Sequence, residues 1–436
     1  MTTYSAVVTT GIYCRPGCGA RPRAENVRTF ELAAAAEAAG FRACLRCRPY
    51  RVAGPVASSA PELVCRAVRL IIDGTLDDGG TEAQLAARLG LSARHLRRVF
   101  LDHLGATPDQ LARSRRAHFA RRMLDDSDLN VADVAFASGF GSLRQFNREM
   151  RDVFRASPRE LRVRRRRADR LAADGGLTMR LPFRAPFDWD GIVAFLAERA
   201  VPGVESVVDR VYRRTISVDG GPGLLEVHPG GDDHLLLRAH LPYWEGLIHV
   251  VQRASRMTGV DADVDPAVAQ LSDDPVVGPL VTARPGLRVP GAWGAFEIAV
   301  QAVIAQNCGR PQARARTGAL VRTFGQPVPG LDHGLTHLFP SPEVLASADV
   351  PAPVRNLAAA ITSGDVVLDG GPTLDEFVAA VTAVPGIGTT AAHQIALRLG
   401  YSDALPLDVP DEVAVLWQPW RALASVHLGP APAPAQ

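Results

Sequence analysis

Thr9-Thr10-Gly11-Ile12-Tyr13-Cys14-Arg15-Pro16-Gly17-Cys18, answered by Gly40-Phe41-Arg42-Ala43-Cys44-Leu45-Arg46-Cys47-Arg48-Pro49, decides how the rest of the chain is read. Two close cysteine pairs joined by a longer connection can fold back to present four sulfurs at tetrahedral corners, as zinc or another thiophilic metal requires. Cys14, Cys18, Cys44 and Cys47 are therefore the predicted metal ligands, for one Zn²⁺. Arg15, Arg21, Arg23, Arg28, Arg42, Arg46, Arg48 and Arg51 crowd around them, so the knot is expected to meet a polyanion.

Working outward, 436 residues at 47% hydrophobic exceed one ordinary core and predict three or four domains. Of the six cysteines only Cys65 and Cys308 stand outside the knot, which argues against a disulfide framework and for a reducing cytoplasm. No apolar stretch is long enough to span a bilayer, and the opening Met1-Thr2-Thr3-Tyr4 lacks a charged-then-apolar leader, so no membrane role is expected. Net charge is +2, but residues 1–170 carry 30 Arg against 18 acids, net +12, and the remainder is net −10. The first stretch is the electrostatic footprint for nucleic acid. Lysine is absent from the chain, which excludes Schiff-base catalysis by lysine and a phosphate-loop lysine.

The cysteine segments, with Glu25-Asn26-Val27 between them, resemble the zinc domain of bacterial methylphosphotriester-DNA methyltransferases over about residues 4–50. The resemblance implies that all four thiolates hold zinc and that the first, Cys14, takes a methyl group from an alkylated DNA phosphate. Four thiolates on Zn²⁺ carry a net charge of −2 and repel phosphates; methylating one leaves −1, so DNA affinity should rise and repair becomes a binding switch. A purely structural zinc site is the alternative. The family domain opens with a helix and a strand before Gly-Ile-Tyr-Cys, and here so little chain precedes it that either a misassigned start or a cropped domain is expected.

After a Pro/Ser/Ala hinge at 55–61, a helical region runs to about residue 166. Leu85-Ala86-Ala87-Arg88-Leu89-Gly90-Leu91-Ser92 and Val134-Ala135-Phe136-Ala137-Ser138-Gly139-Phe140-Gly141-Ser142 each combine an apolar face, a turn glycine and a serine that can cap the next helix. From Ala86 and Gly90 to Ala135 and Gly139 the offset is 49 residues, an internal repeat. Two tandem readers, with Phe146-Asn147-Arg148 in the second, resemble the AraC-type DNA-binding domain. Arg94, Arg97 and Arg98, then Arg144, Gln145 and Arg148, are the side chains expected in successive major grooves. The arginines at 162–167 read as a basic linker on phosphates or a solvated helix end.

A second boundary is expected at 172–176. Beyond it, strand patterns at 210–218, 224–227 and 235–240, a glycine-rich turn at 220–223, and helices at 189–200 and 244–257 predict an α+β subdomain. His228, His234, His240 and His249 are scattered singles, better read as ordinary residues than as metal ligands.

Ala383-Val384-Pro385-Gly386-Ile387-Gly388 opens a predicted helix at 389–399 and reads as a hairpin between two helices. Gly386, Gly388 and Thr389 would bring backbone N–H groups against a DNA phosphate. With Asp408, the run Gly294-Ala295-Phe296-Glu297-Ile298-Ala299-Val300, and Trp417-Gln418-Pro419-Trp420-Arg421, this resembles the 3-methyladenine glycosylase II branch of the helix-hairpin-helix glycosylases over about 179–428. The resemblance implies that Asp408 stabilises the cationic sugar, or orients water, as a flipped alkylated base departs. It places Asn307 at the wedge position, and the absence of lysine makes the activity monofunctional. Thr390, Val409 and Gly429 stand where pocket aromatics are expected, and only Val409 to Leu416 separate Asp408 from Trp417. Each lost stacking partner is worth about 1–3 kcal/mol.

The fold expected is multidomain: a small four-cysteine zinc domain (1–53), an all-α tandem helix-turn-helix domain (60–167), an α+β subdomain (177–285), an all-α helix-hairpin-helix glycosylase domain (286–428) and a disordered tail (429–436). The function expected is a cytoplasmic alkylation-damage regulator and glycosylase. Its partners would be double-stranded DNA and, as a further candidate, RNA polymerase, and the expected state is a monomer. The alternative is a transcription factor whose C-terminal half keeps the glycosylase fold only to bind DNA.

Overall fold

The structure, a computed structural model, describes residues 3–51, 60–77, 79–171 and 175–429. Residues 55–59 of the expected hinge, 172–174 of the second boundary and 430–436 of the tail lie outside the described residues. Two compact units emerge: Met1–Arg184 with Tyr243–Gln252, and Ala185–Pro242 with Arg253–Gln436.

The first unit begins with β1 (Tyr4–Val7), β2 (Ile12–Cys14), β3 (Val27–Phe30) and β4 (Arg42–Ala43), in sheet order β3-β1-β2-β4, with helix α1 (Ala33–Ala38) in the connection to β4. A strand, β1, precedes the first cysteine pair. β1 pairs antiparallel with both β2 and β3, and Tyr4 is buried against the Tyr13 ring. β2 and β4 run parallel, Tyr13 beside Ala43, so Cys14, the last residue of β2, and Cys44, the residue after β4, come to the same edge.

Seven helices follow in this unit: α2 (Glu62–Ile72), α3 (Glu82–Arg88), α4 (Ala93–Leu104), α5 (Pro108–Asp126), α6 (Val131–Ala137), α7 (Leu143–Phe154) and α8 (Pro158–Val163). Strand β5 (Leu177–Pro182) comes next. The helix-turn-helix pairs are α3–α4 and α6–α7. Each turn is closed by a glycine in the left-handed region, Gly90 (φ 70°) and Gly139 (φ 76°), a conformation glycine adopts at no steric cost. Ser92 and Ser142 accept the His95 and Gln145 N–H groups and cap the reading helices. These caps are 50 residues apart, because Gly141 adds one residue to the second turn. The 50-residue offset then runs on through Thr107-Pro108 and Ser157-Pro158, each opening a helix through a reciprocal cap with Gln110 or Glu160. The repeat is thus longer than the two signatures showed. Leu96, Phe100 and Leu104 of α4, and Phe146, Met150 and Phe154 of α7, fill the core.

The second unit opens with α9 (Trp189–Ala197) and a four-stranded antiparallel meander: β6 (Glu205–Val208), β7 (Val211–Val218), β8 (Gly221–Pro229) and β9 (His234–His240). Burial alternates along β9, the pattern of a sheet with one covered face. Gly221 and Gly223 lie inside β8 rather than in a turn, and Gly223 has the His240 carbonyl and Leu241 where a side chain would project. Next in the chain is helix α10 (Leu247–Thr258), whose residues up to Gln252 belong to the first unit and the rest to the second.

The rest is helical: α11 (Asp265–Leu271), α12 (Gly278–Ala283), α13 (Ala295–Ala305), α14 (Arg310–Phe324), α15 (Pro342–Ser347), α16 (Ala352–Ser363), α17 (Leu374–Thr382), α18 (Thr389–Leu399), α19 (Asp411–Ala414) and α20 (Arg421–Leu428). Ala299, Val303, Leu357, Phe377, Val381, Ile387 and Ile395 form its main core, and Val277, Val281, Trp417 and Leu423 a second one. No helix among the described residues is long and apolar enough to cross a membrane.

Candidate functional site

In the first unit the sulfurs of Cys14, Cys18, Cys44 and Cys47 all lie within 4.8 Å of one another. Backbone bonds set this up: the Cys44 N–H donates to the Tyr13 carbonyl (3.0 Å), and the Cys18 N–H to that of Arg15 (3.3 Å). Zinc–sulfur bonds of about 2.3 Å place tetrahedral sulfurs about 3.8 Å apart, which this spacing accommodates. The electrostatics point the same way. Burial, then the Cys44 and Cys47 thiolates, push the Cys14 thiol far above its ordinary range. Cys47 is raised to about 12, mainly by burial. At Cys44 burial opposes ionisation, but N–H groups of Cys47 and Arg46 outweigh it and lower its pKa. Thiols raised as Cys14 and Cys47 are do not ionise by themselves, and a dication would supply the missing charge. The four-cysteine cluster fits one Zn²⁺.

A groove of about 480 Å³ opens beside the cluster, lined by Thr9, Thr10, Arg21, Arg23 and Asn26 and reached by Cys14 and Cys44. The knot is fastened to the long helix α5 that joins the two helix-turn-helix pairs. The Tyr13 hydroxyl donates to Glu37 Oε1 (2.6 Å), which also accepts from His118 Nε2 of α5 (2.7 Å). At the C-terminal end of α5, fully buried Asp125 meets Arg121 at 2.7 Å, Arg51 at 3.2 Å and the Tyr50 hydroxyl at 3.2 Å. Arg48 pairs with Asp169 at 2.5 Å. Apart from Arg121–Asp125, neighbours one turn apart on α5, these contacts join residues up to 121 positions apart and carry no motif.

On the reading helices Arg94, Arg97, Arg98, Arg144 and Arg148 are exposed and Gln145 is half-buried. Arg97 is held by Glu82 of α3 (2.7 Å), and Arg148 lies 3.2 Å from Glu149.

In the second unit Gly386, Gly388 and Thr389 are exposed at the hairpin between α17 and α18, with Gly388 as the N-cap of α18. Asn307 is exposed in the turn between α13 and α14. Asp408 is exposed in the loop before α19. That loop is anchored by an Asp403–Arg421 pair with both contacts at 2.6 Å, and by the Leu405 N–H donating to His393 Nδ1 (3.2 Å). Trp417 is buried in the second core with its indole N–H on Asp274 (2.9 Å), so it packs the fold.

The sequence matches the metal-binding domain of Ada over residues 2–50, a helix-turn-helix domain over 85–164, and the AlkA N-terminal domain over 178–294. It is 39% identical, over 97% of this chain and 91% of the relative, to a Mycobacterium tuberculosis protein named "Probable bifunctional transcriptional activator/DNA repair enzyme AlkA". The chain belongs to this bifunctional activator/repair enzyme family. Its two portions also match separate Escherichia coli proteins. DNA-3-methyladenine glycosylase 2 is 28% identical over 57% of this chain and 95% of its own length. The bifunctional transcriptional activator/DNA repair enzyme Ada is 32% identical over 36% of this chain and 43% of its own length.

For a member of the bifunctional family the architecture is as expected: a zinc domain, tandem helix-turn-helix readers, an α+β subdomain and a helix-hairpin-helix module. His228, His234 and His240 lie on or at the ends of the meander strands, and His249 sits 3.7 Å from Asp77. Among the described residues the cysteine knot is the one cluster of metal-ligating side chains.

Proposed function

We propose that the chain senses DNA alkylation through Cys14 and removes alkylated purines through Asp408. The observation that carries the reading is the conjunction, in one chain, of a four-sulfur cluster beside an arginine-lined groove and a hairpin module of the glycosylase family. The groove's Arg21 and Arg23 would draw in a DNA backbone. The Cys14 sulfur then attacks the methyl carbon of a phosphotriester. A sulfur–carbon bond forms, the carbon–oxygen bond breaks, and the phosphodiester leaves with the electron pair. Zinc supplies the charge that keeps the thiolates ionised at neutral pH. Afterwards the cluster carries one negative charge fewer, which favours DNA. Double-stranded DNA is the partner of both units.

Incubation with methylated DNA followed by mass spectrometry of the N-terminal peptide should find the methyl on Cys14, with a rise in promoter affinity. A zinc-loaded protein without methyl on Cys14 overturns this half of the reading.

In the second unit Asp408 would stabilise the positive charge that develops on the deoxyribose as a cationic base leaves, with no covalent lysine step because no lysine exists. Asp408→Asn should lower 3-methyladenine release by about 10²–10³-fold; unchanged release refutes the role. A second reading has one observation in its favour: Asp408 is exposed and Trp417 is committed to a core, which suits a hairpin module that only binds DNA. Absence of release by the wild-type protein decides for it.

A further inference from the structure

The turn between α13 and α14 and the hairpin before α18 are 80 residues apart in sequence, and one side chain joins them. Gln306 Nε2 donates to the Gly386 carbonyl (2.6 Å), and Gln306 Oε1 accepts the Gly388 N–H (3.1 Å). The carboxamide thus behaves as an added peptide group, donor and acceptor used together across the hairpin. Glutamate would lose the donor and methionine both. The hairpin is held from its other side as well. Asn356 of α16 donates to the Pro385 carbonyl (3.2 Å), and Pro353 lies 2.7 Å from where a Cβ on Gly386 would stand.

We infer that Gln306 is a positioning residue that sets Asn307 in register with the phosphate-binding hairpin, so that docking a backbone phosphate drives the Asn307 side chain into the duplex. The inference rests on the proposed reading of the second unit as a hairpin module of the glycosylase family, in which Asn307 takes the wedge position. Gln306 is the C-cap of α13, its own N–H bonded to the Ala302 carbonyl (3.1 Å), and Asn307 follows it directly. Whatever fixes the Gln306 side chain therefore fixes the start of the turn that presents Asn307. With the Gly388 N–H engaged by Gln306, the exposed Thr389 and Thr390 N–H groups, in the first turn of α18, remain for the phosphate. One small turn is held on the same backbone that grips DNA, and the side chain to be inserted projects from it.

The test uses the full chain and a duplex carrying 2-aminopurine, whose fluorescence rises when it leaves the stack, beside an abasic-site analogue. Gln306→Met is nearly isosteric and makes neither bond. The expected result is an unstacking signal lowered by roughly tenfold, the size set by two net hydrogen bonds, with duplex affinity changed by less than about twofold and an unaltered melting temperature. Asn307→Ala should give the same deficit, and the double variant no further loss, as for two residues acting in one unit. If Gln306→Met lowers the melting temperature, Gln306→Glu, which keeps only the acceptor, carries the comparison. Unstacking at the wild-type level, or an affinity loss that accounts for the whole deficit, overturns the inference. Because the readout needs no base release, a wild-type protein that unstacks DNA yet frees no 3-methyladenine defeats the glycosylase reading and leaves this inference standing.

Discussion

In the first unit two of the four sulfurs sit at the ends of parallel strands, and buried charge ties the knot to α5; in the second, Asp408 stands exposed in a loop fastened at a few points. The sensor spends many buried polar side chains on holding its site, Tyr13, Glu37 and His118 on one side and Arg48, Arg51 and Asp125 on the other. The hairpin module instead spends them on its hairpin, through Gln306 and Asn356, and leaves the carboxylate outside. On the proposed reading, a Cys14 consumed once as a reagent must be held still before DNA arrives, whereas an Asp408 that meets a flipped nucleotide can be enclosed by the DNA itself.

The sharpest way to break that comparison is to remove the metal. Structural zinc contributes on the order of 10 kcal/mol to small metal domains. Chelation should therefore open the β1–β4 sheet, exposing arginyl bonds within 15–51 to trypsin while Ala185–Pro242 and Arg253–Gln436 stay resistant. If the sheet survives chelation, the polar fastening and not the ion holds the sensor.

Next in size is Asp125→Ala. The carboxylate is fully buried with Arg121, Arg51 and Tyr50 around it, and deleting it strands buried guanidinium charge. Removing one partner of such a group costs on the order of 3–5 kcal/mol. Denaturant melts should show the loss in the first unit alone. A change within error would mean that the fastening is not what distinguishes the sensor.

How much of this was legible depended on sequence distance. The cysteine knot, both turn glycines and the start of α18 at Thr389 follow from local patterns: metal-ligand spacing, caps, and a glycine just past a helix. β1 was missed because four residues, Tyr4–Val7, give too short an alternation to stand out, and only pairing with β2 and β3 makes them a strand. The glycines of β8 read as a turn because glycine disfavours strands. The structure needs them where His240 and Leu241 pass close. Gln306 carried no local signal at all, since its partners lie 80 and 82 residues away. Trp417 entered only as part of a family motif, and its place in a core was not legible, because its indole N–H partner Asp274 lies 143 residues away.

The smallest expected effect concerns how the Asp408 loop is held. His393 Nδ1 accepts the Leu405 N–H, which requires that nitrogen to be unprotonated, and burial, then Arg421, depress its pKa below the ordinary value of about 6.5. The unfolded chain takes up this proton near 6.5 and the folded chain resists it, so the unfolded state binds more protons as the solution is acidified. The contribution to stability is complete above about pH 6.5 and declines as pH falls below it. In His393→Gln the side-chain oxygen can still accept the Leu405 N–H but does not titrate. The melting temperature of the wild type should therefore fall toward, or below, that of the variant between pH 7.5 and 5.5. The pH profile of base release should shift with it, because Leu405 lies three residues before Asp408 on the same loop. A gap between the two proteins that stays constant across this range would show that His393 is not kept neutral, and that the loop bearing Asp408 depends on the Asp403–Arg421 pair instead.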